Sequence, residues 1–343
     1  EISEQPKTVH DTVTPRIKVT VIGDFAQNPR YQGAGSSLVN PAKQPEFILG
    51  EIGSSGLEMV AFEQGYRRNK KSDEKLLNQA KEAAKKAEVV LIFAGLDEIS
   101  ESEGLDRTHM NMPQAQNMLI DEITTVNPNV IVVLSAGSAV EMPWYSYVSG
   151  IVHGYLGGQA GASAMLNVLT GKVCPSGKLN ETYPMHCEDT PVQHYYPSKE
   201  RSSEYREALY VGYRYYTTVD KKVRFPFGFG LSYTTFKYSD LKMDESGVTF
   251  QIRNTGKIKG TEIAQLYVGR KSDSRLKENI ILVVLGVTLL VALLNLKAVA
   301  NAAGILIGLI MPVFNKDLNT ILVSLTGSTY NIDGNFFEKI RPL

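Results

Sequence analysis

Cysteine is nearly absent from these 343 residues, occurring only at Cys174 and Cys187. Two thiols cannot build a disulfide framework, and such scarcity fits a reducing compartment. Neither sign of charge dominates: 36 Lys and Arg balance 36 Asp and Glu, for a formal net charge of zero. That balance argues against a nucleic-acid surface and against a polybasic membrane patch. His109 has no second His or Cys at metal-ligand spacing, so it reads as a loop or core histidine. The chain opens on Glu1 in a polar stretch with no signal peptide, as a fragment or processed product would. No repeat of fixed period is present. What the sequence does have is 43% hydrophobic residues, enough to bury the cores of two or three domains.

From about residue 16 to 182, strand-like and helix-like stretches alternate. Ile17–Ile22 alternates in polarity and runs into Gly23-Asp24. Ser72 or Asp73 is placed to cap a helix whose apolar positions, Leu76, Leu77, Ala80, Ala84 and Ala87, follow helical spacing. Val89–Ala94 and Val130–Leu134 are apolar runs of the kind buried in a parallel sheet. Between them, a helix over about Ala115–Val126 stops ahead of Asn127-Pro128-Asn129, because proline disfavours helix in the residue before it. Ile151–Tyr155 predicts a shorter strand, and Ala160–Leu169 a helix ended by Gly171. The alternation predicts an α/β fold, a mostly parallel sheet sandwiched between helices. An aromatic-rich stretch then runs from Tyr195 to Tyr233. Short strands over Leu241–Met243, Val248–Arg253 and Ile263–Val268, with Asn254-Thr255-Gly256 as a turn, open an antiparallel β-sandwich module.

The segment Ile99-Ser100-Glu101-Ser102-Glu103-Gly104-Leu105-Asp106-Arg107 follows the Val89–Ala94 run. Loops beyond the carboxyl ends of such strands are where open α/β sheets carry their binding chemistry. Two carboxylates one residue apart, beside a glycine, suggest a positioned acid or base. A solvated loop with a local Asp106–Arg107 pair is the other reading of the same spacing. Gly33-Ala34-Gly35 lacks the third spaced glycine of a dinucleotide fingerprint and any P-loop lysine, so no phosphate loop is read there. Glu141 and Trp144 follow the Val130–Leu134 strand and could line a cleft, but ordinary packing is the safer reading. Glu204, Tyr205, Arg206 and Glu207 read as ordering the aromatic stretch.

Six motifs, taken together, resemble one family. They are Val21-Ile22-Gly23-Asp24-Phe25, Pro29-Arg30-Tyr31-Gln32-Gly33-Ala34-Gly35-Ser36-Ser37, Glu101–Arg107, Gly157-Gly158-Gln159-Ala160-Gly161, Pro175-Ser176-Gly177-Lys178-Leu179 and Phe225–Tyr233. In this order they look like the α/β sandwich domain of glycoside hydrolase family three β-glucosidases, and the short strands to about Gly269 resemble that family's fibronectin type III-like module. The resemblance implies retaining hydrolysis of terminal β-D-glucosidic bonds in a β-glucoside or short oligosaccharide, without a cofactor. A (β/α) barrel, not recognisable here, would supply an aspartate nucleophile, and this domain the general acid/base. A retaining mechanism needs two carboxyl groups about 5–5.5 Å apart. Glu103, directly before glycine, matches the acid/base position, with Glu101 the runner-up and a neighbour able to keep Glu103 protonated. Arg30, Tyr31 and Gln32 are candidate substrate-binding residues at the rim, and Asp106 and Arg107 an ion pair bracing the acid/base loop. The isolated chain is then expected to be inactive. The rival reading is a non-catalytic module that binds sugar or a partner and has lost its barrel.

The expected domains are a lead-in at 1–15, the α/β sandwich domain at 16–233, a partial fibronectin-like module at 234–279, an apolar segment at 280–314, and a strand and tail at 315–343. Ile280–Leu294 and Ala298–Phe314 are largely apolar and together marginal for crossing a bilayer, which needs about 20 apolar residues. A spanning helix, a helical hairpin and a buried core element all remain open. The expected location is the cytoplasm, with membrane contact through 280–314 as the addition. Asn319–Ser328 reads as a last sandwich strand.

Overall fold

The computed structural model describes residues 16–68, 72–199, 201–244 and 247–268, and a strand at 321–324. Five strands, β1 (Lys18–Ile22), β2 (Glu58–Glu63), β3 (Val89–Gly95), β4 (Val130–Ser135) and β5 (Gly150–His153), form one parallel sheet in the order β2-β1-β3-β4-β5. All seven residues of β3 are buried, so both faces of the sheet are covered at its centre. Each fully buried Val, Leu, Ile or Phe there contributes about 1.5–3 kcal/mol.

Four of the covering elements are α1 (Ile48–Glu51), α2 (Glu74–Ala84), α3 (Gln114–Thr124) and α4 (Gly161–Leu169). The Asp73 carboxylate caps α2 by accepting the Leu76 amide at 3.2 Å. The face of α2 turned inward is Ala80, Ala83 and Ala84, side chains small enough for Thr20 to donate its hydroxyl to the Ala83 carbonyl at 2.9 Å. Helix α3 buries Leu119, Ile120 and Ile123 and packs beside α2, while α1 and α4 pack on each other. Asn127 donates to the Ala84 and Ala87 carbonyls, both at 2.9 Å, tying the end of α2 to the turn before β4.

The one sheet strand without a counterpart in the expected elements is β2. Its sequence, Glu-Met-Val-Ala-Phe-Glu, has an apolar run of only four residues between two glutamates, and none of its residues is fully buried because it forms an edge of the sheet. The boundaries of the other four strands of this sheet fall within about two residues of expectation, the usual scatter at element ends.

Beyond α4 the chain turns antiparallel. Strand β6 (Tyr183–Pro184) precedes the short helix α5 (Tyr213–Thr218) and pairs with β7 (Val223–Phe225). The segment after β7 is tied to 177–179, with Leu179 donating its amide to Phe229 at 2.7 Å and Gly228 to Leu179 at 2.8 Å. Strands β8 (Phe236–Asp244) and β9 (Gly247–Asn254) make one ladder, and β10 (Gln265–Val268) and β11 (Ile321–Ser324) another. These are two separate two-stranded sheets, and they carry the antiparallel strands expected after residue 233. The lead-in expected at 1–15, the last part of the expected module at 269–279, the apolar segment at 280–314, and the strand and tail at 315–343 apart from β11 lie outside the described residues. Among the described residues no helix is long and apolar enough to cross a membrane.

Candidate active site

Strand β1 has β2 on one side and β3 on the other, so the loops beyond β1 and β3 diverge at the carboxyl edge and leave a crevice. Gly23 makes the exit from β1 possible. Its φ is +119°, and a Cβ there would sit 2.1 Å from the Phe93 carbonyl oxygen. The loop beyond β1 then folds back across the crevice and meets the loop beyond β3 at a parallel bridge between Ala34 and Ser102.

Glu103 stands on that bridge, exposed to solvent. Its carboxylate accepts the Ser36 backbone N–H at 2.6 Å, and its own amide donates to Ala34 at 3.4 Å. The Ser36 hydroxyl and amide both favour the charged form and hold the Glu103 pKa below the ordinary carboxylate value. Glu101 is not among the causes, so the expected help from Glu101 in keeping Glu103 protonated is absent from this geometry. Gly35 brings the two loops together: its φ is +82°, and a Cβ would lie 2.5 Å from the Glu103 Cβ.

Glu101, two residues earlier, is enclosed. It pairs with Arg30 and accepts the Gly137 amide at 2.8 Å and the Ser138 hydroxyl, while Arg107 stands 3.7 Å from its other oxygen. Burial alone would raise its pKa, but the Ser138 hydroxyl, the Gly137 amide and the Arg30 guanidinium together hold it low. A carboxylate held charged by so many partners is an anchor for the loop and a poor proton donor. The loops beyond β1, β3 and β4 all meet at this one side chain.

The other expected site residues fall around this pair. Arg30 is 3% exposed and turned inward, donating also to the Leu96 carbonyl at 3.1 Å, so it supports the loop from below. Gln32 closes its own loop, donating to the Val39 carbonyl at 3.1 Å and accepting the Val39 amide at 3.0 Å. Tyr31 accepts from the Gln32 amide and receives the Gly158 N–H on its carbonyl. The expected Asp106–Arg107 pair is corrected. Asp106 accepts the Tyr196 hydroxyl at 2.7 Å, whereas Arg107 points inward and donates to Ser138 at 2.6 Å and Ala139 at 3.2 Å. Burial lowers the Arg107 pKa, and its ion-pair partner is Glu101. A cleft of about 400 Å³ opens beside the loop, with Ile99, Leu105, Asp106 and His109 among its walls.

Trp144 is fully buried and donates to Asn117 at 2.9 Å, while Glu141 accepts from His186 and Cys187, so both serve packing and bracing. Among the described residues no group of three or more His, Cys, Asp or Glu side chains is placed to hold a metal ion. Sequence reasoning missed Ser36 and Ser138, whose weight comes from contacts 67 and 37 residues away, and His153. The His153 ring ends β5, stacks on Tyr155 at 3.8 Å and hydrogen-bonds the Tyr183 hydroxyl. Burial depresses its pKa to about 4, against the opposing pull of the Leu134 carbonyl and Glu101.

Fold and site together define an α/β domain that presents the exposed Glu103 carboxylate from the crevice edge of its sheet. The family model of the Glycosyl hydrolase family 3 C-terminal domain matches residues 13–233, and the chain belongs to that family. It is 45% identical over 272 residues to a thermostable β-glucosidase B of Acetivibrio thermocellus, covering 75% of this chain and 36% of that protein. An exo-α-(1→6)-L-arabinopyranosidase of Bifidobacterium longum is 40% identical over 264 residues, covering 75% of this chain and 34% of that one. The crystal structure of a family 3 β-glucosidase of Bifidobacterium adolescentis superposes with a TM-score of 0.71 at 40% identity, covering 77% of this chain and 40% of that one. β-Glucosidase 3B of Thermotoga neapolitana, solved with glucose, gives 0.64 at 27% identity over 76% of this chain and 41% of that chain. The chain thus spans little more than a third of the curated relatives it matches.

Proposed function

We propose that this chain is the acid/base half of a retaining β-glucosidase, with Glu103 as the proton donor and a barrel outside this sequence carrying the nucleophile. The observation that carries the reading is the contrast between the two carboxylates. Glu101 is spent on Arg30, Arg107, Ser138 and Gly137, whereas Glu103 is exposed to solvent and tethered by Ser36. The same two loops expose large apolar side chains, Ile99 at 72% and Leu38 at 65%, as a face covered by a second domain would.

As a free surface group, Glu103 is too acidic to hold a proton near neutrality. A barrel packed over it would strip water from the carboxyl, and a nucleophilic carboxylate about 5–5.5 Å away would oppose its ionisation; both raise the pKa. The acid then protonates the leaving glycosidic oxygen, and its conjugate base draws a proton from the water that attacks the glycosyl-enzyme.

The test is Glu103→Ala in the complete enzyme. Turnover of substrates with poor leaving groups should fall about 10²–10⁴-fold. Activated aryl glucosides, which need no protonation to depart, should lose far less in bond cleavage, and azide should restore their turnover as the glycosyl azide. A uniform loss for all substrates without azide rescue would refute the assignment.

A further inference from the structure

The β8–β9 ribbon has two faces of opposite chemistry. Side chains alternate along each strand, and the pairing register aligns them, with Tyr238 across from Ile252 and Met243 across from Val248. Between Ser239 and Lys242 the register slips by one, so that Asp240 and Leu241 together oppose Phe250. Asp240, at φ +55°, is the extra residue. Without the slip, Leu241 and Met243 would turn to the side of Lys237 and Ser239. With it, one face is apolar from Phe236 and Tyr238 at one end to Met243 and Val248 at the other. The opposite face is Lys237, Ser239, Lys242, Thr249, Gln251 and Arg253. The apolar face is covered only in part. Phe236 is buried, and Tyr238 stacks on Phe250 at 6.0 Å and donates its hydroxyl to Glu262 at 3.1 Å. Leu241, Met243 and Ile252, by contrast, are 46%, 52% and 40% exposed. A two-stranded ribbon is marginal in water by itself, and a face kept apolar through a bulge is a face meant for packing.

The path of the chain selects the occupant. The apolar segment 280–314 lies between β10 and β11, and these two strands pair, Val268 with Ile321. A single bilayer crossing would put the two strands on opposite sides of the membrane, which the pairing forbids. Two crossings would need about 20 apolar residues each. Ile280–Leu294 is too short for that, and Ala298–Phe314 is broken by Asn301 and Pro312. The segment therefore needs protein to cover it, and the ribbon face needs the same. Both ends of the segment are anchored beside the ribbon, since Glu262, three residues before β10, touches Tyr238. A tethered occupant of this kind is present at an effective concentration of roughly millimolar, which a partner from solution would have to exceed. We propose that residues 280–314 pack on the apolar face of the β8–β9 ribbon, as the layer facing it, and do not enter a bilayer. This goes beyond the assignment of Glu103 and does not depend on it.

The experiment compares two neighbouring positions on opposite faces of the ribbon in the full chain, Met243→Cys and Lys242→Cys, both exposed among the described residues. Maleimide labelling is followed peptide by peptide by mass spectrometry, so that Cys174 and Cys187 do not interfere, and circular dichroism confirms that both variants are folded. Met243→Cys should label at least about tenfold more slowly than Lys242→Cys, because a covered thiol reacts only when its cover opens. A second measurement needs no cysteine. Photocrosslinking from benzoylphenylalanine at position 241 should join that position to a peptide within 280–314, and a mixture of isotopically light and heavy protein should give no mixed product. Equal labelling rates would overturn the proposal by showing an open face. A light–heavy crosslink would overturn it in favour of a second copy. Crosslinks to lipid, with flotation of the chain on phosphatidylcholine–phosphatidylglycerol vesicles, would overturn it in favour of a membrane.

Discussion

At the residue scale, two glutamates separated by one serine have opposite physical situations. The partner of Glu101, Arg30, has a side chain only 1% exposed, so removing the Glu101 charge strands a buried guanidinium. Glu101→Gln should therefore destabilise the domain by about 3–5 kcal/mol, the usual cost of breaking a buried pair from one side. Glu103→Gln should leave the urea midpoint where it was, because that carboxylate is exposed. Urea titrations of the two variants check the contrast, and the reverse order would show that the charge cage has been assigned to the wrong side chain. His153 gives the domain a second kind of sensitivity. Its pKa is depressed to about 4 in the fold, against about 6.5 in an unfolded chain. Between those values the unfolded chain takes up the proton and the folded one does not, so stability falls as pH drops from about 6.5 to 4 and levels off below. The full effect is about 3 kcal/mol. Denaturation series at several pH values should show that slope, and His153→Gln should remove its share of it.

At the scale of elements, the site depends on how closely two loops approach. Gly35 leaves no room for a side chain against Glu103, so Gly35→Ala must push the 102–104 backbone outward and break the Ser36 contact. In the complete enzyme this displacement, an ångström or so, should lower turnover about 10²-fold. The thermal midpoint should move little, since both loops lie outside the core; a wild-type rate would show that the bridge is dispensable. The sheet itself was legible from sequence because Val89–Ala94 and Val130–Leu134 are apolar on both faces, and burial on both faces is what a central parallel strand requires. Edge strand β2 went unread because its apolar run, Met59–Phe62, is only four residues long and shows neither the length of a central strand nor alternation. The direction of Arg107 was also out of reach. Adjacency to Asp106 favours a local pair, and only the fold brings Glu101 and Ser138 within its range.

At the scale of the whole molecule, the described residues divide into a well-filled α/β unit and antiparallel ladders that follow it. The first owes its integrity to a continuous core running from Val19 to Phe225. Residues 183–225 belong to that core through Tyr183 and Phe225, whose rings meet edge to face at 6.2 Å, so the aromatic stretch is part of the first unit. The position of Glu103 was readable from its motif, but the reason it is held there was not, because every tether comes from a distant loop. Those tethers, Ser36 on Glu103 itself and Arg30, Gly137 and Ser138 on Glu101 two residues before it, all belong to this one chain. The proposed proton donor is thus carried in a self-contained cassette. In the proposed enzyme, mutations that retune which sugar is cut can accumulate in the barrel without disturbing it. Relatives named for two different glycosides match this chain at 45% and 40% identity, as a shared cassette beside diverging neighbours would leave them.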